Sequence, residues 1–243
     1  MSKFVWFEYV STDANKAQGF FGELFGWSSK KVPMGGTEYT MIAQGDTTIG
    51  GYMAPPPGAP TRAHWLSHLG VANAKESAAK VTALGGKVLM DAFPVGEHGT
   101  MAVVADPHGA PLALWQPATS GGGPAEAVGR FTWNELSSKD AAASVAFYTA
   151  LGGFTVETKE MGHGAYHVLS SGSEMVAGIM PSPMPEAPHA WTPYVQVANT
   201  DASADRAKRL GATIIVPPTD VPNVGRFAVF ADPQGAILGI LQP

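Results

Sequence analysis

Hydrophobic positions along the chain switch between two periods, and the switch repeats. KFVWFEYV, residues 3–10, is rich in aromatic and β-branched residues over the length of one strand. After Ser11-Thr12-Asp13, a cluster suited to an N-cap, Ala17, Phe20, Phe21 and Leu24 recur at the spacing of one helix face, and Gly26 supplies a stop. Short strands are then predicted around Ser28–Val32, Tyr39–Ala43 and Thr47–Met53. A second round follows: a strand around His64–Val71, a helix over about Lys75–Leu84 stopped by Gly85-Gly86, and three strands ending at Trp115. Each round reads strand, helix, three strands.

The whole pattern is then written again. Phe4, Trp6, Glu8, Asp13, Phe20, Leu24 and Gly26 match Phe131, Trp133, Glu135, Asp140, Phe147, Leu151 and Gly153, and DPHGAPLALWQP (106–117) matches DPQGAILGILQP (232–243). A duplication this long is a whole domain rather than a solenoid unit. It predicts four βαβββ units paired into two domains, residues 1–117 and 130–243. Residues 118–129, within the polar, Gly-rich PATSGGGPAEAVG, read as a linker. In DPHG and DPQG, Pro at i+1 and Gly at i+3 predict the turn before each last strand.

Composition narrows the function. Apolar residues make up 45% and charged residues only 14%, which suits a packed α+β protein. The net charge of −5 argues against a nucleic-acid partner. No apolar run is long enough for a membrane span and no signal-peptide core is present, so a soluble, cytoplasmic protein is expected. The absence of Cys excludes disulfides, thiolate zinc sites and a cysteine nucleophile. There is no GxSxG elbow, and GGG at 121–123 lacks the surroundings of a phosphate loop.

Paired βαβββ units, an aromatic helix following a strand and Asp, and DPxGA before the last strand resemble the vicinal oxygen chelate superfamily of glyoxalases, extradiol dioxygenases and bleomycin-resistance proteins. With W-x-E in the first strand and GRFAVFADPQGA, the chain is similar to its tandem, two-domain glyoxalase-related members. The resemblance implies cupped mixed sheets and a divalent metal holding two substrate oxygens. Its ligand positions would fall on Trp6 and Trp133, near Leu66 and Thr192, and on Ala113 and Gly239, while IGGYM and VAGIM offer only Tyr52. These side chains predict that the metal site is absent and that no cofactor is needed; a divalent metal at a displaced site, such as Glu8 with His68, is the alternative.

The seven histidines (64, 68, 98, 108, 163, 167 and 189) occupy no matching positions in the two copies and read as surface or hydrogen-bonded residues, HGAYH (163–167) being a weak candidate ligand pair. What recurs is Trp6/Trp133, Glu8/Glu135 and Tyr39/Tyr166, with Trp65/Trp191 and Met53/Met180. Aromatic faces with one carboxylate are the makeup of a small-molecule pocket. Glu8 and Glu135 are therefore the candidate catalytic or orienting carboxylates. Trp6, Tyr39, His68, Trp133, Tyr166 and Tyr194 are candidate ligand contacts, and Arg226 a candidate anion contact. The expectation is a binder of a hydrophobic or aromatic small molecule, acting as monomer or homodimer. The alternatives are a lyase, isomerase or dioxygenase using metal or acid–base chemistry, and an interaction protein with vestigial pockets.

Overall fold

The structure, a computed structural model, describes residues 2–34, 37–119, 127–161, 164–183 and 187–243. Its elements run β1 (Phe4–Val10), α1 (Ala14–Phe25), β2 (Ser28–Met34), β3 (Thr37–Gln44), β4 (Thr47–Met53), β5 (His64–Gly70), α2 (Ala74–Ala83), β6 (Lys87–Val95), β7 (Gly99–Ala105) and β8 (Pro111–Pro117). The second copy repeats them as β9 (Phe131–Ser138), α3 (Ala141–Gly152), β10 (Thr155–Met161), β11 (Gly164–Ser171), β12 (Glu174–Pro181), β13 (Ala190–Gln196), α4 (Thr200–Arg209), β14 (Thr213–Val221), β15 (Gly225–Ala231) and β16 (Ile237–Gln242). Four βαβββ units are present, as the periodicity predicts.

Each copy forms a curled, mixed, eight-stranded sheet, ordered β2-β3-β4-β1-β5-β8-β7-β6 in the first and β10-β11-β12-β9-β13-β16-β15-β14 in the second. The pairs β1–β4, β5–β8, β12–β9 and β13–β16 are parallel, and the hairpins are antiparallel. Helix starts follow the sequence signals. Asp13 and Asp140 accept the backbone N–H of Lys16 and Ala143, and Asn73 and Asn199 cap α2 and α4 in the same way. Gly26 and Gly153 end α1 and α3 in the left-handed conformation that a Cβ would disfavour.

The chain divides into two compact units, each drawing on both copies. Unit 1 comprises Met1–Trp6, Leu66–Gly123 and Trp133–Trp191; unit 2 comprises Phe7–Trp65, Pro124–Thr132 and Thr192–Pro243. The core of unit 1 gathers Leu69, Val81, Leu112, Leu114, Leu136, Phe147 and Tyr148, all buried. In unit 2, Tyr9 packs edge-on against Phe21 and Trp65, with ring centroids 5.5 and 5.1 Å apart. Trp65 and Trp191, read as shared features of the two copies, are core residues at 5% exposure each.

Candidate functional site

Alternation along the first strand of each copy separates two faces. In unit 2, Phe7 and Tyr9 turn into the aromatic core, which leaves Glu8 on the opposite face of β1. The Tyr39 hydroxyl, on β3, donates to Glu8 Oε1 at 2.7 Å. Between them lies Gly51 of β4, in register with Glu8. A Cβ at Gly51 would lie 1.8 Å from the Tyr39 hydroxyl oxygen, so the phenol reaches the carboxylate because residue 51 has no side chain.

Unit 1 repeats the arrangement and extends it. Asn134, Leu136 and Ser138 are buried, while Trp133 and Glu135 lie on the other face of β9. The Tyr166 hydroxyl donates to Glu135 Oε2 at 2.8 Å and accepts from Trp133 Nε1–H at 2.9 Å. Gly178, in register with Glu135, again makes the room; a Cβ there would meet the Tyr166 oxygen at 2.0 Å. Burial first, then the charge of Glu135, pushes the Tyr166 hydroxyl well above its ordinary pKa, so it remains a proton donor. The glycines of IGGYM and VAGIM, which offer no ligand atom, are thus the seats of two phenols. Their matched spacing to Tyr and Glu was the available signal.

The late small residues have a similar cause. Tyr194 of β13 is in register with Gly239 of β16 and its ring lies across that residue, where a Cβ would fall 2.3 Å from the ring. A glutamate at 239 has no room unless Tyr194 moves. In the first copy, buried His68 is in register with Ala113. Trp, Leu, Ala and Gly at most of the ligand positions implied by the resemblance offer no N or O lone pair, and the hydroxyls of Thr192 and Tyr52 are too few for a divalent ion, so these positions do not fit the metal. Arg226, on β15, is held by Asp201 at 2.7 and 2.9 Å and by Asp220 at 3.0 Å. Its hydrogen bonds to these carboxylates raise its pKa further.

One polar cluster escaped the sequence reading. In unit 1, Asp106, His108 and His189 each bring a potential ligand atom within 4.8 Å of the others. The metal-free expectation therefore has no support from the structure, because a group able to offer three ligands exists. The hydrogen bonds define its present state. Asp106 Oδ1 accepts the backbone N–H groups of His108 and Ala110, both at 3.0 Å, and Oδ2 accepts from the Tyr148 hydroxyl at 3.0 Å. Lys139 N–H donates to His189 Nδ1 at 3.2 Å, which leaves the ring proton on Nε2, 2.7 Å from Asp106 Oδ2. Metal binding through His189 Nε2 would require loss of that proton and release of the Lys139 contact. Burial pushes Asp106 upward, but hydrogen bonds from His189, Ala110 and Tyr148 outweigh it and hold the carboxyl below its ordinary value. The His in DPHG, against Gln in DPQG, was the available sign of this cluster. Of the HGAYH pair, His163 lies outside the described residues, and His167 Nδ1 lies 2.9 Å from Thr158 Oγ1 at the surface.

Among the described residues, no helix is long and apolar enough to cross a membrane. Comparison with known proteins adds the family context. A profile described as the Glyoxalase/Bleomycin resistance protein/Dioxygenase superfamily matches residues 130–240. CFP32 of Mycobacterium tuberculosis, a glyoxylase by name, is 37% identical over 244 residues, covering 98% of this chain and 94% of its own. The anthracycline biosynthesis protein DnrV of Streptomyces peucetius is 36% identical over 129 residues, 47% of each chain. Among solved structures, the Mn(II)-bound glyoxalase from Novosphingobium aromaticivorans superposes with a TM-score of 0.69 at 16% identity, covering all of this chain and 83% of that one. The 2,3-dioxygenase LapB from Pseudomonas sp. KL28 gives 0.66 at 13%, covering all of this chain and 91% of that one. At these identities the two structures show a shared fold.

Proposed function

Since this chain belongs to the glyoxalase/bleomycin resistance protein/dioxygenase superfamily, we propose that it binds a hydrophobic or aromatic small molecule through its duplicated carboxylate–tyrosine sites, with no metal at the family's ligand positions. The observation that carries this reading is the pair of hydrogen bonds Tyr39–Glu8 and Tyr166–Glu135, each built over a matching glycine. A carboxylate fixed by a half-buried phenol presents a directed acceptor, and Trp6 and Trp133 supply apolar area. The ligand class is a planar ring system carrying an amine or hydroxyl donor, to which the likeness to an anthracycline biosynthesis protein gives weight. Tyr194 and His68 are proposed as further contacts. Arg226, already engaged by two carboxylates, is not.

The same dyad supports a second reading. A carboxylate beside a protonated phenol can take a proton from a bound substrate, so acid–base lyase or isomerase chemistry by Glu8 and Glu135 is the alternative.

Calorimetric titration of the full chain with an anthracycline tests the binding reading. Glu135→Gln is expected to weaken binding about tenfold, the worth of one hydrogen bond to a charged group. Unchanged affinity in Glu8→Gln, Glu135→Gln and their combination would refute the carboxylate sites. Stoichiometric zinc, manganese, iron or nickel in protein purified without chelator would overturn the metal-free part.

A further inference from the structure

A cavity of about 420 Å³ in unit 2 is lined by neither Glu8 nor Tyr39. Its apolar lining comes from Leu24 and Phe25 at the end of α1, the exposed Val128 before β9, and Val197 after β13. Arg206 and Arg209, exposed and spaced i and i+3 on one face of α4, line it as well. Among the described residues neither guanidinium has an ion-pair partner. The side-chain oxygen of Gln44, also on the wall, is buried without a hydrogen-bond partner.

The matching helix of the first copy carries different side chains. At the corresponding positions of α2, Arg206 is matched by Lys80, Arg209 by Ala83 and Ala202 by Glu76. Glu76 brings a negative charge, and its carboxylate accepts from Asn73. Unit 2 has instead a small Ala202 and two cations beside the apolar lining. We propose that this cavity binds an anionic amphiphile, its carboxylate or phosphate head between Arg206 and Arg209 and its hydrocarbon on Leu24, Phe25, Val128 and Val197. Arginine pairs suit such heads because the guanidinium fork matches their oxygens. The proposal is independent of the dyad reading.

Amide chemical-shift mapping of the full chain with octanoate, octyl phosphate and octylamine tests it. Octanoate or octyl phosphate is expected to shift Val128, Gly129, Ala198 and Ala202, and the tighter of the two identifies the head. Arg206→Gln with Arg209→Gln should raise the Kd at least tenfold while the rest of the spectrum holds. Ala202→Trp, which fills the cavity and keeps both charges, should abolish binding. Equal shifts with octylamine, shifts mapping elsewhere, or unaltered binding by both variants would overturn the proposal.

Discussion

The two DPxG turns differ most where their sequences differ least. Asp232 of DPQG accepts from the backbone N–H groups of Gln234 and Ala236, as Asp106 does from His108 and Ala110. The second oxygen is met differently. In unit 2 it takes the hydroxyl of Tyr9 from strand β1, and Ser11 Oγ reaches Gln234 at 2.7 Å. In unit 1 it takes the hydroxyl of Tyr148 from helix α3 together with the imidazole of His189. Burial pushes Asp232 upward and its hydrogen bonds do not offset this, so its pKa ends above its ordinary value, whereas that of Asp106 ends below. One turn motif thus holds a carboxylate of opposite tendency in each unit, depending on whether an imidazole stands beside it.

Replacing each aspartate by asparagine separates the two most sharply. At position 106 the new amide N–H would face the Nε2–H of His189, whose other nitrogen is committed to Lys139, leaving two donors opposed. Asp106→Asn is expected to cost about 1.5–3 kcal/mol in urea unfolding, the range for losing a hydrogen bond to a charged group with its buried donor left unpaired. Asp232→Asn faces a hydroxyl that can turn from donor to acceptor, and should cost less than about 1 kcal/mol. Equal losses would show that the imidazole does not distinguish the turns.

A smaller difference is expected from the tyrosines. Tyr148→Phe removes a donor to Asp106 and also the acceptor of Trp191 Nε1–H, 2.9 Å away. Tyr9→Phe removes only the donor to Asp232. Each should cost about 1.5–3 kcal/mol, with Tyr148→Phe the larger. Exchange of the Ala110 and Ala236 amide hydrogens, both bound by the aspartates, reports each turn separately.

Acid gives the finest test. Asp106, with its folded pKa lowered, contributes stability above its unfolded value near 3.8, and this is lost as pH falls through the folded value. Asp232, with its folded pKa raised, has the opposite linkage: its contribution is full below the unfolded value and is lost as pH rises through the folded one. Lowering pH from 6 toward 3 should therefore reduce protection, measured against the intrinsic exchange rate, at Ala110 but not at Ala236. The reverse pattern would contradict the assigned directions.

The architecture was legible because it is written as local periodicity. Ala17, Phe20, Phe21 and Leu24 mark a helix face wherever they occur, and Asp13 and Gly26 mark its ends through contacts within a few residues. The duplication then located the matched Glu, Tyr and Trp. What joined them was not local. Tyr39 reaches Glu8 only because strand order places β4 between β1 and β3 and because register puts Gly51 beside Glu8.

The Asp106 cluster was hidden for the same reason. His189 lies 83 positions from its carboxylate and has Ala63 as its counterpart in the first copy, so neither spacing nor repetition exposes it. Sequence determined which residues form each strand and helix, since those choices rest on near neighbours. Which carboxylate meets a phenol and which an imidazole was decided by tertiary packing alone, since hydrogen bonds form across strands at distances that no linear spacing encodes.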